Sequence, residues 1–498
     1  MRRLLPSSFY NMRSLLGAGI SGLSLSLIIF LFVLEAMSEH PKPYMGIITL
    51  IILPGFLVAG VVMIAWGVMR VHKRRRRGQE DKPLLTIDFN NPRHRLAFTL
   101  TSFGTMFFLG LSAFGSYKAY EFTDSDQFCG EMCHSVMSPE YTAYQFSPHA
   151  RVGCAQCHIG EGAEWFVKAK ISGSYQVYSV LFNKYSRPIQ TPIENLRPAQ
   201  QTCEQCHWPK HFFSEKQRKW TYFLSDEKNT KWDLNLLIHI GGGNNEEGPT
   251  SGIHWHMNIS NRIDYKPADR RRQDIPWIRV KHGDGTVRVY RNKTSKLSDE
   301  QLAELEERRM DCIDCHNRPT HIYRHPAKSV NQEMSAGWID PKIPFIKNVA
   351  VKTLETPFRT KPDALDSIRI LITDFYQDHY PEFVKTDTGK IDRAIKEVQK
   401  IYNRNFFPEM GSSWKAYPDN IGHLTSLGCF RCHDGNHVSD DGKVLSRDCN
   451  VCHTILAQKF EKEGLRIGLE GIEYRHPTDI GEEWKVKSCS ECHSENLY

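Results

Sequence analysis

Three charge-free stretches near the N-terminus, followed by seven closely similar Cys/His motifs, predict three transmembrane α-helices and a periplasmic domain. That domain is expected to be a multihaem cytochrome c, mainly α and irregular around stacked haems, with a small β subdomain inserted. Ser14 to Leu34, Pro43 to Met69 and Leu96 to Tyr117 contain no Asp, Glu, Lys or Arg. Each is long enough to cross the hydrocarbon core as a helix.

Lys and Arg set the orientation, because loops rich in them stay cytoplasmic. Arg2, Arg3 and Arg13 precede the first span, and only Lys42 lies between the first and second. Arg70, Lys73 and Arg74 to Arg77 follow the second. The N-terminus is therefore expected in the cytoplasm of a bacterium, the spans in its inner membrane, and everything after Tyr117 in the periplasm. The first span could instead be a signal peptide cut after Ala36-Met37-Ser38, but its apolar core is longer than a typical signal core. Of the 64 Lys and Arg, 14 lie before residue 121, with only 5 of the 57 Asp and Glu. The net +7 thus belongs to the membrane part. Arg74 to Arg77 reads as a topology anchor, and no nucleic-acid partner is expected.

The first three motifs are Cys129-Gly-Glu-Met-Cys133-His134, Cys154-Ala-Gln-Cys157-His158 and Cys203-Glu-Gln-Cys206-His207. The other four are Cys312-Ile-Asp-Cys315-His316, Cys429-Phe-Arg-Cys432-His433, Cys449-Asn-Val-Cys452-His453 and Cys489-Ser-Glu-Cys492-His493. Two thiols at this spacing can form thioethers to the two vinyl groups of one haem, and the adjacent His then reaches the iron. A single copy could equally be a zinc half-site. Here the motifs consume all 14 cysteines, leaving none for disulfides or iron-sulfur ligation, and seven covalent c-type haems are expected. The first motif has one extra residue between its cysteines. Haem attachment outside the cytoplasm agrees with the topology.

Cys129 follows the last span by a dozen residues, so the first haem belongs near the membrane surface. Beyond it, Trp277 to Lys281 and Thr286 to Tyr290 alternate around Gly283-Asp284-Gly285, which reads as a β-hairpin. Leu236 to Ile240 and Ile253 to Asn258 look like further strands. Ser298-Asp-Glu-Gln301 is a capping box expected to open a helix that delivers Cys312. Leu365, Ile368, Ile372 and Phe375 share one helical face, as do Ile391, Ala394, Ile395, Val398 and Ile401. The expected segments are a membrane anchor (1–120), the first three haems (121–210), a β-rich insertion (211–296), the fourth haem (297–327), a helical segment (328–410) and the last three haems (411–498).

Each haem iron has a second axial position, filled by His in low-potential carriers and by Met at higher potential. His149, His321, His423, His437 and His476 lie close to motifs and are candidate distal ligands. His254 and His256, two apart, would face the same side of a strand, and one of them could be a ligand. Met137, three residues after His134, is a candidate at the first iron. His325 is a lesser candidate; His211, His239, His282 and His379 are expected to be structural.

The last span, then Phe128-Cys129 to His134 with Met137, Ser147-Pro148-His149 and the second and third motifs, resembles the NapC/NirT family of membrane-anchored tetrahaem quinol dehydrogenases. Cys312-Ile-Asp-Cys315-His316 with His321 resembles its fourth haem. The similarity covers roughly residues 96 to 325, and the whole layout is similar to larger inner-membrane cytochromes of metal-reducing bacteria. It implies a methionine or weak ligand at the first haem and a quinol pocket lined by Glu161 to Leu181. Lys168 and Lys170 would then contact a quinol oxygen, and Glu164, Glu140 or Asp126 would take the proton. Three spans, a β insertion and three extra haems depart from that family.

The expected function is a quinol dehydrogenase and electron conduit. It would draw on the membrane quinone pool, with menaquinol as donor, and deliver to periplasmic soluble cytochromes or reductases in anaerobic or extracellular respiration. The last three motifs would be the exit. An alternative is a passive electron-transfer subunit docked to a membrane complex partner. A small-molecule reductase is a third reading, although all seven motifs end in His.

Overall fold

A computed structural model describes residues 6–36, 52–80, 88–132, 134–160, 163–193, 197–207, 215–241, 252–258 and 260–494. Two compact units emerge, Met1–Phe128 with Cys154–Gln176, and Cys129–Gly153 with Val177–Tyr498.

In the first unit, three helices are long and apolar enough to cross a membrane: α1 (Met12–Ala36), α2 (Leu53–Arg76) and α3 (Pro92–Thr123). Small residues bring α1 against α2. A Cβ on Gly17 would stand 2.5 Å from the Gly60 carbonyl oxygen. Ser14 and Ser21 donate their hydroxyls to the carbonyls of Ile64 and Leu57 at 3.1 and 3.2 Å. Close approach through small residues and hydroxyls is how helices associate where lipid competes for apolar surface. Lys73 to Arg76 close α2, where cations complement the negative end of the helix dipole.

In the second unit, α4 (His134–Gln145) follows the first motif; α5 (Ala163–Leu181) begins in the first unit and ends here. The main core is helical: α6 (Pro326–Ser335), α7 (Ile346–Glu355), α8 (Lys361–His379) and α9 (Pro381–Asn405) bury Val330, Ala350, Leu354, Ile368, Ile372, Ile395, Val398 and Ile401 together. The expected stripe on α9 is buried as a whole. On α8, Tyr376 is fully buried and Phe375 packs at the edge, because the 3.6-residue period carries the stripe slightly past Phe375.

Two antiparallel sheets complete this unit. β3 (Arg262–Lys266), β4 (Trp277–Lys281) and β5 (Val287–Asn292) form the expected hairpin and its neighbour, flanked by β6 (Arg308–Arg309) and β7 (His437–Ser439). The other sheet orders β1 (Glu215–Phe223), β2 (Lys231–His239), β8 (His453–Phe460) and β9 (Gly464–Ile467). Three of these strands come from beyond residue 430, so the β-rich stretch is tied to the C-terminal motifs rather than closed on itself.

Two local expectations are corrected. The capping-box helix is real but stops at Glu304; β6 and a separate turn capped by Asp311 intervene before Cys312. Ile253–Met257 is a 3-10 turn, not a strand. Gly252 enters it at φ +88°, and a Cβ there would stand 2.6 Å from the His239 carbonyl oxygen, so the chain reverses at a place only glycine fits.

Candidate haem-binding sites

The described motifs lie on short helical turns, and several of these turns are capped at their start. Cys154, Cys157 and His158 share the turn Cys154–His158, and Cys489, Cys492 and His493 share the turn Cys489–His493. Ser488 forms a capping box with Glu491 at the second of these. Asp311 accepts the Cys312 N–H at 2.5 Å, and Asp448 the Asn450 N–H at 3.1 Å. For Cys154 the cap is Asp126, which accepts its N–H at 2.7 Å from across 28 residues. On such a turn positions i, i+3 and i+4 share one face, so both thiols and the imidazole point the same way. The Cys133 position and the His134 side chain lie outside the described residues.

Five motif histidines each face a second histidine. Ring centres are 5.9 Å apart for His149 and His207, 6.4 Å for His254 and His316, 5.9 Å for His256 and His433, 6.1 Å for His423 and His453, and 6.1 Å for His476 and His493. Two imidazoles bound to one metal by bonds of about 2 Å have ring centres about 6 Å apart. The spacing therefore fits a haem iron held between two axial histidines.

Hydrogen bonds set the tautomers. The Nδ1 atoms of His254, His256 and His433 meet the carbonyl oxygens of Ile240, Ile253 and Ser446 at 3.1, 2.6 and 3.1 Å. A carbonyl only accepts, so Nδ1 carries the proton and Nε2 keeps its lone pair, the arrangement typical of a metal-ligating histidine. The Nδ1 atoms of His423 and His453 are buried without such a partner. Burial also lowers the pKa of His254, His256, His316, His423, His433 and His493, and takes His453 down to about 4. The shift favours the neutral ring, the form that binds metal.

The described cysteines, Cys492 among them, form no disulfide. Burial pushes the thiols of Cys312 and Cys432 up to about 12 and those of Cys315 and Cys452 to about 11. Among the described residues no three His, Cys, Asp or Glu side chains converge as a zinc site requires. The donor set fits haem and does not fit a zinc array.

From the third motif to the seventh, successive motifs are neighbours. Asp311, before the fourth motif, accepts the Ala199 N–H at 3.0 Å from the turn carrying Cys203. Arg431, inside the fifth, donates to the Asp314 carbonyl, inside the fourth, at 2.6 Å. Beyond the larger effect of burial, Cys429 of the fifth raises the pKa of Cys452 of the sixth, and Cys449 of the sixth that of Cys489 of the seventh, so these thiols are close to one another. Arg447 ties the last two motifs by donating to the carbonyls of Val486, at 2.7 Å, and Lys487.

His437 is a correction. Its ring is fully buried; Nδ1 lies 2.8 Å from the Asp434 carboxylate and Nε2 2.6 Å from the Ile275 carbonyl oxygen. With both nitrogens committed, it has none for an iron. His321 lies against α4, its Nδ1 3.0 Å from the Glu140 carbonyl oxygen; Met137 is half-buried on the same helix. His325 caps α6 and stacks on Trp414 at 4.1 Å. His239 and His379 bond to Thr454 and the Phe375 carbonyl, and His282 lies against Trp255. His211 lies outside the described residues.

At the end of α3, Lys170 Nζ stands 3.0 Å from the Asp124 carboxylate and 3.2 Å from the Thr123 hydroxyl. Lys168 lies over the Trp165 ring at 4.8 Å. Asp126 is engaged by Cys154, as above, and Glu140 takes a bidentate hydrogen bond from Arg318 at 3.1 and 2.8 Å. The Glu164 side chain lies outside the described residues. Asp124 escaped the sequence reading; its only signal there was a carboxylate at the end of a span.

Residues 92–192 match a family model described as the NapC/NirT cytochrome c family, N-terminal region. The chain is 43% identical over 487 residues to the cytochrome c-type protein ImcH of Geobacter sulfurreducens, covering 97% of this chain and 95% of that protein. No solved structure matches.

Proposed function

The chain belongs to the NapC/NirT family of membrane-anchored c-type cytochromes and transfers electrons, and on that premise we propose that it oxidises menaquinol at the periplasmic face of the inner membrane. The electrons then pass along seven covalent haems to periplasmic cytochromes or reductases. The N-terminus lies in the cytoplasm and the haem domain in the periplasm.

The observation that carries the quinol half is the Lys170–Asp124 pair at the end of α3. Quinol oxidation releases two electrons and two protons. Haem, when bound, would supply a one-electron acceptor. Lys170 would donate a hydrogen bond to one quinol oxygen, while the Asp124 carboxylate would take the two protons in turn, releasing the first to the periplasm before it receives the second. Lys168, over the Trp165 ring, is a second candidate hydrogen-bond donor to the quinol, and Glu164 a second candidate base. Asp126 and Glu140 are spent on Cys154 and Arg318, so Asp124 takes the role first considered for them.

The conduit half is supported by the five histidine pairs and by the contacts between successive motifs from the third to the seventh. His149, His254, His256, His423 and His476 would be the second ligands of the third to seventh haems, and Met137 or His321 would serve the first. Two histidines at each of these five sites would leave no ligand position open for small-molecule reduction there. The seventh, attached through Cys489 and Cys492, is the exit. Reduction of the purified, detergent-solubilised chain by a menaquinol analogue, with no other protein present, tests the reading. Reduction only by dithionite would make the chain a passive subunit of a larger complex.

A further inference from the structure

On a strand, two histidines separated by one residue would lie on the same side and compete for one iron. On the 3-10 turn Ile253–Met257 they do not, because with three residues per turn their side chains diverge by about 120°. His254 turns toward His316 of the fourth motif and His256 toward His433 of the fifth. The turn is held from outside: Ile240 accepts both the backbone N–H and the ring Nδ1–H of His254, at 3.0 and 3.1 Å. Asn261 donates to the Trp255 carbonyl at 3.3 Å.

The proximal side of the same two sites is also clamped. The Arg431 guanidinium is buried inside the fifth motif and donates to the Asp314 carbonyl in the fourth, to the Arg272 carbonyl at 2.8 Å and to the Gly428 carbonyl at 2.9 Å. The Asp314 carboxylate in turn accepts from the Tyr265 hydroxyl at 2.7 Å, Arg272 at 2.8 Å and Arg308 at 3.3 Å. The two motifs are thus tied to each other and to the same arginines.

We propose that the turn Ile253–Met257 supplies the distal ligands of two different haems, His254 to the fourth and His256 to the fifth, and that with Arg431 it locks these haems into one rigid pair at the middle of the conduit. The pair fixes the distance across which the electron must pass, whatever motion the remainder of the chain undergoes. This rests on the seven-haem reading above.

The two sites have separate spectroscopic signatures. The His254 and His316 planes are 5° from parallel, whereas those of His256 and His433 are 90° apart. Parallel axial imidazoles give a rhombic low-spin ferric signal, and perpendicular ones a highly anisotropic signal. The test is electron paramagnetic resonance of the oxidised full chain, with haem content measured as the pyridine haemochrome. His254→Ala should convert one haem to high spin with loss of a rhombic component. His256→Ala should convert one with loss of an anisotropic component, and the double variant should convert two. His254→Met and His256→Met, which keep a ligand in place, should each add one methionine–ferric charge-transfer band and raise the potential of one haem. A double variant with a single high-spin haem, or a Met variant with full haem content and no new band, overturns the assignment. Fewer than seven haems in the unaltered protein would instead sink the reading beneath it.

Discussion

Arg431, between the cysteines of the fifth motif, donates Nη2 to the carbonyl oxygen of Asp314, between the cysteines of the fourth, across 2.6 Å. The two residues are 117 apart in sequence, yet the contact joins two haem-binding turns directly. Arg431→Met removes the donors from three backbone carbonyls at once. Leaving buried acceptors unpaired costs about 1–3 kcal/mol each, so the melting temperature should fall by several degrees or more. Arg431→Lys should recover only part, since an ammonium cannot span the three acceptors as the planar fork does. Thermal unfolding followed by circular dichroism checks both.

His437 tests the difference between a ligand and a structural histidine. His437→Gln should leave the number of low-spin haems unchanged and lower stability, because Asp434 and Ile275 lose a buried partner. A new high-spin haem in this variant would restore His437 as a ligand.

Gly252→Ala places a methyl group 2.6 Å from the His239 carbonyl oxygen at φ +88°, a conformation costly for any residue with a Cβ. The turn behind it must shift, and the absorption and paramagnetic signals of two haems should change together while the other five hold.

Burial lowers the pKa of His325 to about 3, and its Nδ1 accepts the Ala327 N–H at 3.2 Å, so it is neutral when folded. In the unfolded chain it takes up a proton near pH 6.5. The unfolded state therefore binds more protons between about pH 6.5 and 3, and stability falls as pH drops through that window, by up to about 1.4 kcal/mol per unit. His325→Asn keeps a capping oxygen that does not titrate. Denaturant unfolding between pH 7 and 4 should show a flatter acid limb in this variant.

The readable parts of this protein are those whose chemistry is local. Thioether attachment demands a fixed spacing, so every motif was visible in the chain, and the stripe Ile391 to Ile401 was visible because a helix imposes its own period. His149, His423 and His476 stand near motifs and lie opposite motif histidines. What escaped depends on distant partners. His437 is near a motif too, but its role is set by a carbonyl 162 residues away. Ile253 to Asn258 alternates like a strand, yet Gly252 turns the chain into a 3-10 turn, and that change separates one candidate site into two. β7 and β8 are completed by partners more than a hundred residues earlier, and carry too little pattern to be seen alone.

Quinol oxidation beside Lys170 and Asp124 can be measured by stopped-flow reduction of the detergent-solubilised chain with a menaquinol analogue, in wild type, Lys170→Ala and Asp124→Asn. Reduction should be at least tenfold slower in both variants, the loss of about 1.4 kcal/mol or more of transition-state stabilisation, with haem content and dithionite reduction unchanged. Wild-type rates in both variants would rule out a quinol site at this pair.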